Sequence, residues 1–587
     1  MKNKTSFVNS GVTKFWIKNE KYYPFNYWVQ EENLNKLNNF FGEGKYVKIN
    51  IQERSIRKDY DIVKFKHEKY CKILHKRLNN LHNVDYSKAF WKKTLSTGFI
   101  KTISYLYDSF VRYENEFDFK SHSFKFLSSK CFYRSLKFED LNGFLSKNDW
   151  TNEQLFSIYL NCFYEPDQGL EIKTSIFNKT SKLNFEVLKH KIKRKIYILK
   201  KRLEKKHYHT TKTAILGSYF SKKSLLNLIE RSNNEINEMN SYWDIKCPNK
   251  SFDQKSRNIL FQKEDNFDRI DHFIFTCLYY LFPNFLVESF SYNHLKLKKE
   301  LSRYINLKTI ICENWIGQTK NSLLLAVAKE CFDIKHISNE HNCFFHIYEG
   351  NYTEYFVELS DKYITLGWTP KGKKIIKGGS LYPFKLEKDK KEIQVLFVSG
   401  PLFYKKPFFS THFSNYGDTS INSINFNKTF FKNLDKSIVS KISYLGYPIN
   451  KISSLGLIQK EKYQGSYDLK TVTGSARKLM PKSDLIIIDY VGTSFIESLV
   501  SNIPTVVFFD SRTKFLSKEQ QLFFDTLINV KIFHTTPSSA ASHVNKISND
   551  PSAWWNSKEL QKVKDTFLRK NLNLENLSDI IVNINDH

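Results

Sequence analysis

The segment SDLIIIDYVGTSFIESLVSNIPTVVFFD (483–510) holds the sharpest chemistry in the chain. An apolar run ends at Asp489, a glycine-containing loop follows, and a helix is expected to open at Thr493-Ser494. Ser494 and Glu497 fit the S-x-x-E capping box, in which side chains satisfy free amides at a helix start. The same N-terminus, with two hydroxyls, suits a phosphate, because unpaired amides and the helix dipole both favour an anion. Glu497, one turn in, can accept hydrogen bonds from a ribose. A capped structural helix fits the same spacing, so spacing alone leaves both readings open. A second group, Glu340, His341 and His346, falls within seven residues of ISNEHNCFFHIYEGNY (337–352). A histidine on a loop after a central strand can stabilise phosphate charge or shuttle a proton near neutral pH. Lone histidines are commonly structural; two with a carboxylate on one loop favour function.

Other candidates sit where strands are expected to end. Ser399-Gly400 closes the run EIQVLFVSG, where a backbone can approach a phosphate closely. Gly217-Ser218 closes TAILGS and is a candidate sugar contact. Arg477 and Lys478 precede the SDLIIID run and can neutralise an anion. Metal use is not expected: the only Asp-x-Asp, Asp59-Tyr60-Asp61, precedes a helical segment instead of ending a strand. No GxxxxGK[ST], HExxH or GxSxG occurs, so P-loop, zinc-protease and α/β-hydrolase chemistry lack support.

The elements that must hold these residues divide the chain in three. Residues 1–210 read as mostly helical. Trp91, Leu95, Phe99, Ile103, Leu106 and Phe110 make one apolar stripe, and Leu188, Ile192, Ile196, Leu199 and Leu203 another, flanked by lysines. That second, basic amphipathic stretch suits either an anionic membrane surface or packing on its own domain. From 211 to 385, β-rich runs alternate with helical ones: TAILGS, KTIIC, DIKHIS and DKYITLGW. KGGSLYPFKLEKDKKE reads as a linker. From 386 to 587 a second α/β unit runs through EIQVLFVSG, KISYLGYP, SDLIIID and IPTVVFFD. Strand–helix alternation predicts parallel sheets covered by helices, with ligands at the carboxyl ends of the strands. Two such domains in tandem, behind a helical extension, describe the GT-B glycosyltransferase architecture. Fold alone does not assign function.

Several segments add a resemblance. The 483–510 stretch is similar to the nucleotide-binding segment of bacterial surface-polysaccharide GT-B transferases. LNNLHNVDYSKAFWKKTL (78–95), ISNEHNCFFHIYEGNY (337–352), LSDKYITLGW (359–368) and DPSAWWNSKELQKVKDTFLRKN (550–571) resemble one family of polysaccharide transferases. That group is similar to capsule-type Kdo and retaining pseudaminic acid transferases, which use CMP-activated 2-keto sugars. The resemblance implies transfer of a nonulosonic sugar from CMP to a capsule or O-antigen glycan with retention. It implies a C-terminal nucleotide domain, an N-terminal acceptor domain, and a final helix that crosses back. His341 matches the family histidine, whereas a Gln and two glycines beside it are replaced by Glu340, Asn342 and Cys343. Glu313 matches an acidic residue whose carboxylate attacks the anomeric carbon, with Asn314 where an Asp is expected. Double displacement needs that nucleophile and a base for the acceptor. Glu313 and Glu340, on neighbouring strand exits, are the available pair. Tyr447-Pro448 stands where related enzymes contact the base, Arg477 and Lys478 would face the CMP phosphate or sugar carboxylate, and His346 the acceptor or sugar. A CDP-glycerol-type glycerophosphotransferase is the nearest alternative enzyme.

Composition bounds these readings. The 587 residues carry 91 Lys and Arg against 60 Asp and Glu, a net charge of +31. Such a balance implies an anionic partner, here a lipid-linked oligosaccharide at an anionic inner-membrane surface, although a Lys/Asn/Ile-rich composition contributes to it. Nucleic acid is the alternative partner from another class. It requires exposed aromatics interleaved with cations, whereas the aromatics here fall in apolar stripes. With 50 Phe and 33 Tyr the chain can bury large cores, which excludes extensive disorder. Eight scattered Cys without a CxxC pair, no secretory signal and no apolar run of about 18 residues suit a cytoplasmic, membrane-peripheral protein.

Overall fold

The computed structural model describes residues 5–10, 12–24, 35–45, 56–147, 150–164, 169–171, 209–217, 222–239, 244–248, 252–313, 319–340, 346, 353–368, 374–379, 384–387, 389–400, 419–447, 467, 469–510, 516–574 and 577–585. Two compact units divide the chain: residues 1–218 with 225–336, and residues 219–224 with 337–587.

The first unit opens with β1 (Thr5–Val8), β2 (Tyr22–Pro24) and, after two long helices, β3 (His122–Ser123), which form a parallel sheet in the order β2-β1-β3. Strands of two to four residues carry too little alternation to register as a pattern, so this sheet is absent from the sequence reading. The long helices are α1 (Ile56–His82) and α2 (Lys88–Glu116), followed by α3 (Phe138–Lys147) and α4 (Trp150–Phe163). The predicted stripe of α2 is its buried face: Trp91, Leu95, Phe99, Ile103 and Leu106 are wholly enclosed and Phe110 nearly so. Asp59 lies inside α1 and accepts from the Tyr107 hydroxyl at 2.8 Å, a packing role. The NVDYSKAFW segment builds the corner between α1 and α2. There Asn79 Oδ1 accepts from the Trp91 indole at 2.6 Å and from Tyr86 N at 3.2 Å, while Ser87 caps α2. The basic stretch 188–206 lies outside the described residues.

A six-stranded parallel sheet follows: β4 (Thr213–Leu216), β5 (Ile236–Met239), β6 (Thr309–Glu313), β7 (Lys335–Asn339), β8 (Lys362–Thr365) and β9 (Ile375–Lys377), in the order β5-β4-β6-β7-β8-β9. Helices α5 (Arg269–Leu281), α6 (Phe290–Leu301) and α7 (Thr319–Phe332) belong to the first unit. The strand order reverses between β4 and β6, so the exits at Gly217 and Glu313 flank the switch point where such sheets bind ligands.

The second sheet contains β10 (Ile393–Val398), β11 (Ile442–Leu445), β12 (Lys470–Thr471), β13 (Ser483–Ile488), β14 (Thr505–Phe508) and β15 (Phe533–His534), all parallel, in the order β12-β11-β10-β13-β14-β15. Its switch point lies between β10 and β13. Helices α8 (Thr419–Lys432), α9 (Thr493–Val500), α10 (Lys518–Asn529) and α11 (Lys558–Asn571) belong to this unit. The chain is thus an α/β protein with two Rossmann-like parallel sheets in tandem behind a helix-rich region, the domain content of the GT-B fold. The linker expected around 377–392 is in part core: Phe384 and Leu386 pack with Leu396, Ile486 and Leu499, and Leu386 N donates to Ser501 Oγ at 2.8 Å. Apolar side chains interrupt its lysines, which explains why composition alone reads it as solvated.

Candidate functional site

At the switch point of the second sheet, the exits of β10 and β13 are tied together by one carboxylate. Asp489 accepts from Ser399 Oγ at 3.1 Å, from the Gly400 amide, and from Asn427 Nδ2 of α8 at 2.6 Å. Ser399 is therefore engaged with Asp489 in this structure. Gly400 is packed against Tyr490, where a Cβ would stand 3.0–3.1 Å from the ring and Cβ of that tyrosine. The sequence reading marks Asp489 only as a strand end. Its position opposite a Ser-Gly exit is the signal that could have found it.

The helix that follows departs from the expected capping box. Gly492 is the N-cap of α9, with no side-chain cap. Ser494 Oγ instead accepts from the Tyr490 hydroxyl at 3.2 Å, and Glu497 turns to Arg477. The reason is local: Gly492 takes the cap position, one residue before Thr493, which moves Ser494 and Glu497 inside the helix. Thr493 is exposed at the open first turn, whereas Ser494 and Glu497 are buried. Arg477 and Glu497, chosen separately from sequence, form an ion pair between a half-exposed guanidinium and a carboxylate that is nearly enclosed. Burial pushes the Glu497 carboxyl above its ordinary range, and Arg477 pulls it back down. Lys478 is exposed to solvent. Tyr447 follows β11 half-buried, and burial raises its phenol; Pro448 lies outside the described residues.

A second cluster gathers three of the resembling segments. Glu340 follows β7, and its side chain is fully enclosed. Its Oε2 accepts from Leu366 N at 2.9 Å and from the Trp368 indole at 2.6 Å. His346 stacks on Trp368, with ring centroids 4.4 Å apart and planes 17° from parallel. Its Nδ1 lies 3.6 Å from Glu340 Oε1, and its Nε2 lies 3.0 Å from Asn571 Oδ1 at the end of α11. Gln520 Nε2 of α10 reaches the same Asn571 oxygen at 2.9 Å. Burial first, and the Glu340 charge second, push the phenol of the enclosed Tyr363 well up. The chain then returns along β8: Asn573 N donates to Leu366 O at 2.7 Å, and Gly367 bridges Leu572. Trp368, Asn571 and Gln520 are missing from the sequence reading, although the first two lie inside segments it marks.

At the first switch point, Gly217 takes φ +61°, and a Cβ there would meet Asn321 Nδ2 of α7 at 3.4 Å. Glu139 of α3 occupies the start of α7, accepting from Thr319 N at 2.7 Å and from its hydroxyl at 2.5 Å. Glu313 ends β6. Its side chain, Ser218 and His341 lie outside the described residues. Among the described residues, no group of three His, Cys, Asp or Glu side chains has metal-binding geometry, and no helix is long and apolar enough to cross a membrane.

Comparison with known proteins then decides the family. A family model for the LIC12162 family transferases matches residues 5–582. The chain belongs to that family. The match spans all three sheets and the helical region, so the LIC12162 assignment makes the whole chain a transferase. No curated protein matches the sequence. Among solved structures, the chain is similar to the wall teichoic acid polymerase TagF in a form soaked with CDPG. That match has 12% identity, covers 71% of this chain and 98% of that one, and has a TM-score of 0.27. The glycosyltransferase of kitacinnamycin matches at 10% identity over 63% and 97%, with a TM-score of 0.31. SnogD, a glycosyltransferase from Streptomyces nogalater, matches at 8% over 64% and 100%, with a TM-score of 0.29. With superpositions this loose, the fold assignment rests on the strand orders themselves.

Proposed function

We propose that this LIC12162-family transferase is a retaining GT-B glycosyltransferase. It moves a nonulosonic, pseudaminic-type or related 2-keto acid sugar from a CMP donor to a lipid-linked capsule or O-antigen glycan. The observation that carries the reading is the Arg477–Glu497 pair beside the uncapped start of α9. Free amides at a helix start attract a phosphate, and a guanidinium within one turn adds a second positive charge. Glu497 then offers its carboxylate to ribose hydroxyls. Ser399-Gly400, tied to Asp489, ends β10 at the adjacent switch point, where sheets of this kind bind ligands.

In this reading Glu313, at the other switch point, attacks the anomeric carbon as CMP leaves; the acceptor hydroxyl then gives its proton to a base in the 340–341 arc, bonds to the same carbon and releases the Glu313 carboxylate. The basic side chains and the helix start stabilise the leaving phosphate, so the reading includes no metal. The enzyme works at the cytoplasmic face of an anionic inner membrane, where its acceptor is anchored.

Calorimetric titration with CMP, CDP, UDP and GDP tests the donor. CMP is expected to bind selectively, with at least a tenfold loss in Glu497→Ala, corresponding to about 1.4 kcal/mol. Preference for UDP or GDP would remove the keto-sugar donor, and preference for CDP would turn the assignment to glycerol-phosphate transfer.

A further inference from the structure

Helix α6 carries apolar side chains on both of its faces. Phe290, Leu297 and Leu301 belong to its buried stripe. At about 3.6 residues per turn, Tyr292, Leu295 and Lys299 fall on the opposite face. Leu295 is 65% exposed there and Tyr292 44%. Arg303 N and Tyr304 N continue the winding by donating to Glu300 O and Leu301 O, which keeps Ile305, 69% exposed, next to the helix end. Scattered apolar side chains on a surface need no partner, but a cluster on one face marks a contact. The same face is basic. Lys298 and Lys299 are exposed on it, and Lys246 is brought to its edge by its own backbone. Lys246 N donates to Asn293 Oδ1 at 3.0 Å, and its carbonyl accepts from Asn293 Nδ2 at 2.7 Å. Burial first, and the Lys246 charge second, pull the Lys296 ammonium down, opposed by Asp244 and Glu300. The fold therefore holds lysines together against their repulsion, and Arg303 engages Glu300 at 2.7 Å.

We propose that the outer face of α6, with the turn that follows it, is the surface by which the chain docks on an anionic lipid bilayer. Tyr292, Leu295 and Ile305 enter the boundary between headgroups and acyl chains, and the flanking lysines keep their ammonium groups at the level of the lipid phosphates. The charge decides the occupant. A second copy of the chain would set Leu295 against its own counterpart, but it would also set lysines against lysines. A bilayer bearing negative headgroups satisfies both the apolar centre and the basic edges of the face. The inference rests on the membrane part of the proposed function and gives it a location: α6 belongs to the first unit, which in that reading receives the lipid-linked acceptor.

The test is sedimentation of the full chain with phosphatidylglycerol vesicles at low ionic strength. Leu295→Ser with Ile305→Ser removes the apolar anchors, and Lys298→Glu with Lys299→Glu reverses two cations. Lys558→Glu with Lys562→Glu makes the same change of charge at exposed positions of α11. The first two double variants are expected to lose vesicle affinity at least tenfold and the third less than threefold, all with unchanged urea midpoints. An equal loss in the α11 variant would mean that diffuse charge holds the chain, and would overturn the proposal. Full binding by the double serine variant would overturn it as well, because nothing would then insert. A second measurement needs no variant: amide exchange over 302–306 is expected to slow in the vesicle-bound wild type, and unchanged exchange would place the contact elsewhere. A wild-type chain that ignores the vesicles would leave the face to a partner protein and end the proposal. Titration with CMP on the same preparations reads the donor site separately, so failure of the docking surface and failure of the donor assignment are told apart.

Discussion

At the scale of single residues, the nucleotide-site candidates owe their positions to steric and electrostatic constraints that can be tested one at a time. Gly400 lies within 3.0–3.1 Å of Tyr490 at the place a Cβ would occupy. Gly400→Ala must therefore displace a buried ring, and we expect a loss of about 2 kcal/mol, read from the urea midpoint. Glu497 gives a pH signature. Its folded-state carboxyl titrates above the ordinary range because of burial, so at intermediate pH the folded state holds a proton that the unfolded chain has released. Stability from this group is thus present at low pH and falls as pH rises through the folded value. Glu497→Gln is expected to flatten that slope in urea titrations from the ordinary carboxylate range upward, and Arg477→Ala to extend it upward by removing the opposing charge. The residue types at this site were legible in sequence; their partners were not. Ser494-x-x-Glu497 satisfies the pattern of a capping box, yet Gly492 takes the cap instead. A spacing rule cannot tell which of several neighbouring small residues terminates the helix.

At the scale of elements, strong periodicity was enough and weak periodicity was not. The α2 stripe and the runs that became β4, β6, β7, β8, β10, β11, β13 and β14 are apolar for long enough to reveal their type. The edge strands β5, β9, β12 and β15, and the sheet around β1, are too short or too polar. Tertiary partners define them. The clearest such dependence is the return of the chain end to β8. Gly367 has φ +133°, and a Cβ there would collide with the Leu572–Asn573 backbone. Gly367→Ala should sever that docking at a cost of about 3 kcal/mol, and hydrogen exchange of α11 is expected to rise before global unfolding. Helix α2 carries a different constraint. Burial pulls the Lys101 ammonium down to about 8, partly opposed by Glu139. Above that pH the folded state releases a proton that the unfolded chain keeps until its ordinary value, so stability from this site rises with pH across the interval. Lys101→Met is expected to add about 2 kcal/mol near neutral pH, after discounting for partial solvent access, and to remove the alkaline rise in the urea midpoint.

At the scale of the whole molecule, the charge excess is the property the fold leaves unexplained. A +31 chain repels itself. Among the described residues the exposed large aromatics are Phe65, Tyr292 and Phe332, on three different helices. Among those residues that distribution offers no stacking track, and we propose an anionic surface as the partner. The pull of such a surface is long-range and screened, contributing about 1 kcal/mol per cation near the membrane and decaying within a Debye length of about 8 Å at physiological salt. The whole chain should therefore sediment with phosphatidylglycerol vesicles at low ionic strength, at least tenfold more tightly than with phosphatidylcholine vesicles, and release as salt rises. Equal binding to both lipids would mean that apolar insertion drives attachment. No binding to either would remove the membrane from the reading while leaving the nucleotide site intact. If single-stranded RNA displaces the protein from anionic vesicles and saturates at a fixed site size, the charge serves a nucleic acid instead. Displacement that only tracks total phosphate would mark the RNA as one more polyanion competing for the same field.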